Sequence, residues 1–153
     1  MKPKFRTLAT VALIALTIGL SPLAESASAE SHCKQVSGNL SGGSGSGTIK
    51  QGRILNGTTQ AVFTSAFTPT SDPTTFSFTD DLTITTDKGV LKTHNVAIFN
   101  VAAGLFSAID RIDPNASTGD FAGATGVLYI NGKTTDGGAT IQAEITGEIC
   151  FAN

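Results

Sequence analysis

The chain has 153 residues, a formal net charge of −2 and only 14% charged residues, with 17 glycines and no tryptophan. Its weak, slightly acidic charge and its lack of basic clusters argue against nucleic acid or an anionic membrane surface as a partner. Thr, Ser, Gly, Val and Ile are abundant and no segment has sustained helical periodicity, which is typical of a single all-β domain.

The first 29 residues have the pattern of a signal peptide. Three basic residues within the first six positions precede an apolar run that is short for a membrane span, and residues 27–29 offer the small side chains that signal peptidase requires. We expect a mature single domain over residues 30–153 with no membrane span, and a secreted or periplasmic location. A retained anchor is the alternative. Cleavage would remove three basic residues and one acidic residue, which changes the net charge from −2 to −4.

Two cysteines, Cys33 and Cys150, lie near the two ends of the predicted mature chain. In an oxidising compartment an even number of cysteines indicates a disulfide. The two histidines, His32 and His94, have no metal-ligand spacing with them. We therefore expect a structural bridge that brings the first strand beside the last, and neither a metal site nor a cofactor.

Five β-prone runs lie between residues 48 and 112, after a Gly/Ser-rich stretch at 38–47 that predicts a flexible connection. They predict strands at Thr48–Leu55, Thr59–Phe67, Phe76–Ile84, Val90–Phe99 and Leu105–Ile112. Turn-forming residues separate these runs, at Asn56–Gly57, Pro69–Pro73, Asp87–Gly89 and Asn100–Gly104.

The last predicted strand has the clearest alternation. Residues 141–151 divide into an apolar-or-glycine set and a polar set that ends at Cys150. A period of two places one face in the core and the other in water, so the Cys150 sulfur should lie outside the core. Residues 96–99 are apolar on both sides. A barrel whose outer faces are partly covered in a homo-oligomer, a trimer or a dimer, accounts for this mixture.

Residues 119–130 combine three glycines with a strongly β-prone run. Glycine lets a strand bend sharply or approach another backbone closely, so a bent strand at the corner of a closed sheet is one interpretation. A glycine-rich loop leading into a short strand is the other.

The stretch 119–126, GDFAGATG, resembles the G-x-F-x-G-A-x-G signature shared by dirigent proteins and the allene oxide cyclase barrel superfamily. The similarity extends back through residues 82–86 and 104–106 and forward to 145–150, in the style of small secreted bacterial members. The resemblance implies an eight-stranded antiparallel β-barrel, often trimeric, with a hydrophobic cavity. It does not imply the activity. A two-sheet β-sandwich is the alternative fold.

Candidate ligand-binding residues are Asp80, Arg111, Tyr129, Phe78 and Phe121. Dirigent proteins and the cyclase use acidic, Arg and Tyr side chains inside the cavity, and the first three are the available types. On an unbroken strand, Asp80 shares the face of Phe78, where burial would raise its pKa; a bulge at 80–81 would instead turn it outward. Arg111 could point inward or be solvated. Tyr129 could place its hydroxyl in the cavity or in the core.

Three functions are compatible with this pattern, and no nucleophile motif or metal cluster decides among them. Eight phenylalanines follow the predicted leader and favour a barrel that binds a small apolar molecule. An isomerase or cyclase-like enzyme is the second possibility. The third is a non-catalytic structural envelope or matrix protein whose barrel is filled by its own side chains.

Overall fold

Antiparallel strands make up most of the computed structural model, which describes residues 32–43 and 45–152. The predicted leader at 1–29 lies outside the described residues. The strands, in chain order, are β1 (His32–Gly43), β2 (Ser46–Lys50), β3 (Gly57–Phe63), β4 (Thr68–Pro69), β5 (Thr75–Thr86), β6 (Gly89–Asn100), β7 (Leu105–Ile112), β8 (Thr118–Gly119), β9 (Thr125–Thr135) and β10 (Thr140–Phe151). Two single turns of 3₁₀ helix, Arg53–Leu55 and Asp136–Gly138, complete the regular structure of this part of the chain.

Eight of these strands close into a barrel. Their order around it is β1, β2, β3, β5, β6, β7, β9 and β10, and β10 pairs again with β1. The short strands β4 and β8 add to the ends of β5 and β6. The predicted all-β fold and the eight-stranded antiparallel barrel are therefore confirmed, and the sandwich alternative is wrong because the hydrogen-bonded sheet has no open side between β5 and β6.

Closure occurs where the two ends of the domain meet. Strand β1 pairs with β10 along its whole length, with His32 opposite Phe151 and Gly43 opposite Thr140. Cys33 lies directly opposite Cys150, and the two form a disulfide with Cα atoms 3.9 Å apart. Cys33 is exposed and Cys150 half-buried, on the outer face of β10. The predicted bridge and its position outside the core are confirmed.

The glycine-rich stretch at 38–47 was expected to be a flexible connection, and that expectation is wrong. It forms the second half of β1 and the start of β2. Glycine is needed there because the chain approaches itself closely: a Cβ added to Gly38 would lie 2.9 Å from the Cα of Gly52.

Strand β2 ends at Lys50, earlier than the predicted Leu55. Gln51 and Arg53 have positive φ angles of 57° and 52°, which an extended strand cannot include. The following 3₁₀ turn places Leu55, which is fully buried, inside one end of the barrel. Phe121 and Leu128 are buried in the same hydrophobic cluster. This end of the interior is filled.

Residues 119–130 divide between both interpretations of the glycine motif. Gly119 ends β8, Gly123 lies in a turn, and β9 begins only at Thr125. Gly126, with φ of 137°, is inside β9, and a side chain there would collide with the carbonyl oxygen of Glu148 on β10. A single bent strand over the whole segment is therefore wrong, whereas the close approach expected at Gly126 is present.

Candidate functional site

The unfilled end of the barrel encloses a cavity of about 460 Å³. Inward side chains of β3, β5, β6, β7, β9 and β10 line it, and most of them are apolar. Five phenylalanines contribute to the wall, namely Phe63, Phe67, Phe78, Phe99 and Phe106. The barrel interior is therefore core at one end and cavity at the other.

Three of these rings form a cluster at the mouth. The centroid of Phe67 lies 4.5 Å from that of Phe78 and 5.4 Å from that of Phe63, and the Phe63–Phe78 distance is 5.3 Å. Phe67 belongs to the segment between β3 and β5, and its ring contacts a ring from each of these two strands. Each of Phe63 and Phe67 keeps 46% of its surface exposed, so the cluster is open to solvent on one side.

A row of three polar side chains crosses the barrel wall below these rings. Asp80 on β5 pairs with Asn95 on β6, and Asn95 pairs with Asp110 on β7. All three point inward and are buried, with 5%, 7% and 0% exposure, respectively. Asp80 and Asn95 border the cavity, and Asp110 lies behind them.

Asp110 is held by hydrogen bonds at both carboxylate oxygens. Thr93 Oγ1 donates to its Oδ1 at 2.6 Å, and Asn95 Nδ2 donates to its Oδ2 at 3.3 Å. The pKa of Asp110 is raised to about 7, mainly by burial and to a smaller extent by the negative charge of Asp80, and the hydrogen bonds from Thr93 and Asn95 oppose this rise. Asp110 is therefore a carboxyl group that can be neutral near physiological pH.

Asp80 has no such support. Burial raises its pKa to about 6, with a smaller contribution from the charge of Asp81. Within residues 32–43 and 45–152, no hydrogen bond to its carboxyl group lowers its pKa. No lysine, arginine or histidine of the described segments lines the cavity. The cavity therefore presents a carboxyl group to any occupant, without a protein cation beside it.

Two of the five predicted site residues, Asp80 and Phe78, lie in this cavity. The bulge that would have turned Asp80 outward is absent, because β5 pairs with β6 without interruption from Thr75 to Thr86. The strand keeps its period of two, and Asp80 stays on the inner face.

Arg111 and Tyr129 lie on the outer face, so an inward position for either is wrong. The inner set of β7 is Phe106, Ala108, Asp110 and Ile112, whereas the apolar Leu105 and Ile109 point outward with more than half of their surface exposed. Apolar residues on both faces made the alternation ambiguous, and a shift of one residue exchanges the two faces. Tyr129 retains 47% exposure beside Ile109.

Phe121 is buried at the filled end of the barrel, with its ring centroid 6.1 Å from that of Phe151. It is not among the residues that line the cavity. It contributes to the core instead, from the turn at 120–123 that precedes β9.

Sequence reasoning missed Asn95 and Asp110. Each alternates with apolar residues on its strand, Asn95 with Ala97 and Asp110 with Ala108, and this spacing is the signal that could have identified them. A polar residue within an apolar alternating set is a buried polar group if the set faces inward. The sequence alone did not show which side of β6 and β7 faces inward.

The outer wall carries a second set of charged groups. His94 Nδ1 lies 2.7 Å from Asp81 Oδ1, and its Nε2 lies 3.3 Å from Asp113 Oδ2. The hydrogen bond to Asp81 is the main cause that raises the pKa of His94. His94 is exposed, so this cluster belongs to the surface and not to the cavity.

Metal-ligating side chains come together at one place in the described segments, where Cys33, Glu148 and Cys150 lie within 4.8 Å of one another. The two sulfur atoms are joined in the disulfide and are not thiolate ligands. This group is therefore a disulfide bond beside the carboxylate of Glu148.

The fold and the cavity define a small antiparallel β-barrel protein whose interior combines phenylalanine rings with carboxyl groups. Comparison of the chain with models of known protein families, with curated proteins and with solved structures found no match. Over residues 32–43 and 45–152 the structure contains no helix of the length and apolarity needed to cross a membrane.

Proposed function

We propose that the barrel binds a small apolar molecule in its phenylalanine-lined cavity. The observation that carries this proposal is a half-open interior: one end is closed by Leu55 and Phe121, and the other encloses about 460 Å³. Ligand sites in proteins are mostly apolar cavities of about 300–1,000 Å³ with a few polar groups, and this one has the same character. A purely structural barrel would be expected to fill its interior with its own side chains.

Calorimetry and thermal shift with fatty acids, terpenoids and phenolics test the proposal. We expect at least one class to bind with micromolar affinity, about 8 kcal/mol. Ala97→Leu, which extends a buried cavity-lining side chain into the space, should weaken binding more than tenfold. Ala102→Leu in the exposed turn after β6 is the matched control. If no compound gives heat or a thermal shift, the structural-protein hypothesis replaces this one.

An isomerase or cyclase-like activity is the second candidate, and Asp80 is the observation that favours it. A carboxyl group with a pKa of about 6 in an apolar cavity can take up or release a proton near neutral pH. On this hypothesis, Asp80→Asn abolishes turnover of a bound compound while the compound still binds. Unchanged turnover in that variant would contradict it.

We infer that the protein is exported and that it is a small member of the allene oxide cyclase barrel-like or dirigent-like group. The predicted leader and the disulfide support export, because disulfides persist in oxidising compartments. The barrel and the positive φ angles of Gly119, Gly123 and Gly126 are consistent with the group's glycine signature. Intact-mass measurement of the protein from its source should give a chain that begins at Glu30.

A further inference from the structure

We propose that the natural ligand carries a protonated amine at one end of an apolar body, and that this ammonium group pairs with the Asp80 carboxylate. The inference rests on the proposed function, since it names the chemical class that the cavity selects. It follows from three features of the cavity: its hydrogen-bonding groups, its charge and the position of its aromatic rings.

The polar end of the cavity offers acceptors. Asn95 uses its Nδ2 to donate to Asp110, and its Oδ1 remains an acceptor. That Oδ1 is buried and has no hydrogen-bond partner in the described structure, on a side chain that is 93% buried and borders the cavity. An unsatisfied buried acceptor destabilises a folded protein. Asp80 adds its two carboxylate oxygens, so an occupant that donates hydrogen bonds satisfies the site.

The charge of the cavity selects a cation. Asp80 and Asp110 are the carboxyl groups of the inner row, and Asp136 adds a third at the exposed mouth. Because the described cavity wall contains no basic side chain, an anionic head group would meet only like charge. A buried carboxylate needs an opposite charge or must become neutral. An ammonium group supplies that charge.

Aromatic rings surround Asp80 on two sides. Phe63 lies directly opposite it on β3, and Phe78 precedes it by two residues on the same face of β5. A cation at Asp80 would therefore lie beside two aromatic side chains, whose ring faces attract positive charge. The remaining phenylalanines leave space for an apolar body that extends toward the mouth.

Three probes with the same body separate the contributions: 4-phenylbutylamine, 4-phenylbutanol and 4-phenylbutanoate. At about pH 8 the Asp80 carboxyl is ionised, and we expect the amine to bind at least tenfold more tightly than the alcohol, with the acid weakest. Asp80→Asn should reduce amine affinity at least tenfold and change alcohol affinity less than about threefold. Asp120→Asn, which removes one charge from the exposed turn after β8 and does not line the cavity, should keep the preference for the amine.

A measurement on the unaltered protein covers the case in which Asp80→Asn does not fold. Amine affinity should fall as the pH is lowered from about 8 to about 5, because the Asp80 carboxyl becomes neutral, whereas alcohol affinity should stay level. The groups that face Asp80 are Phe63 from β3 and Asn95 from β6, with Asp110 from β7 behind Asn95. Asp110 is also negative when ionised, and its neutralisation acts in the same direction.

The outcomes are distinguishable. Equal binding of amine and alcohol, tightest binding of the acid, or an equal loss of the amine preference in Asp120→Asn and Asp80→Asn overturns the ammonium proposal and leaves the binding function intact. If none of the three probes binds and the wider panel also fails, the proposed binding function is overturned with it.

Discussion

Asp80 and Asp110 occupy one row of the barrel interior on either side of Asn95, so that two carboxyl groups and one amide share a buried wall. Asp110 accepts hydrogen bonds from Thr93 and Asn95, whereas Asp80 is left to the cavity. One carboxyl group is therefore satisfied by the protein, and the other is available to an occupant.

Stability should fall as the pH rises through the range in which these two groups ionise. The folded-state pKa of Asp110 is raised to about 7 from 3.8, so the folded protein binds more protons than the unfolded chain between these values. The contribution of the neutral carboxyl is complete below about pH 4, decreases up to about pH 7 and is then lost. Its size is at most about 4 kcal/mol.

Urea denaturation from about pH 4 to about pH 8 measures this effect in the parent protein and in Asp110→Asn. The difference between the two removes the contributions of His94, Asp113 and the other surface groups. We expect the parent to lose more stability than the variant as the pH rises. Parallel profiles would mean that Asp110 ionises as readily in the folded state as in the unfolded one.

Reduction of the Cys33–Cys150 disulfide should lower stability markedly while the barrel persists. The bridge closes a loop with a sequence separation of 117 residues, for which the chain-entropy estimate is about 4–5 kcal/mol as an upper limit. Twelve paired positions between β1 and β10 remain without it. Thermal unfolding with and without reductant measures the loss, and far-UV circular dichroism reports the fold. Two freely alkylated thiols in the exported, folded protein would contradict the bridge itself.

Gly126→Ala should destabilise the barrel by about 3 kcal/mol or more. The residue has a φ of 137° and faces the Glu148 backbone, so a side chain causes both backbone strain and a collision. Gly137→Ala is the control, because its φ is 67° and nothing lies within 4 Å of an added Cβ. That change should cost about 1–2 kcal/mol. Equal losses of unfolding free energy would show that the close approach to β10 has no effect.

The sequence also predicts a homo-oligomer, and the outer face of β6, β7 and β9 is where we expect the contact. Val96, Ile109 and Tyr129 lie in one row across these strands and keep 60%, 54% and 47% of their surface exposed. Ile109→Lys should convert a trimer or dimer to monomer in sedimentation velocity. Val62→Lys, at an equally exposed apolar position on β3, should not. A monomeric parent protein would contradict the expectation.

Much of the fold could be predicted because it depends on local patterns. The alternation over residues 141–151 identified β10 and its inner face, and the two terminal cysteines identified the closing pair. The Gly38–Gly43 part of β1 could not be predicted, since composition indicated flexibility. It is ordered by β2, which follows it directly along the chain, and by β10 at the far end of the domain, whose pairing the local composition does not reveal.

The candidate site divides in the same way. The sequence by itself determined that a carboxyl group at position 80 and phenylalanines would lie on an alternating, apolar strand. Only the tertiary structure decided which face of β7 and β9 is inside. Arg111 and Tyr129 lie on the outer face, whereas Asp110 lies on the inner face. The physical reason is that inner and outer faces differ by a shift of one residue, and pairing with neighbouring strands fixes that shift. The position of the cavity was also decided by the tertiary structure. Leu55 and Phe121, which are distant in sequence, are both buried at one end of the barrel, and the cavity lies at the other end.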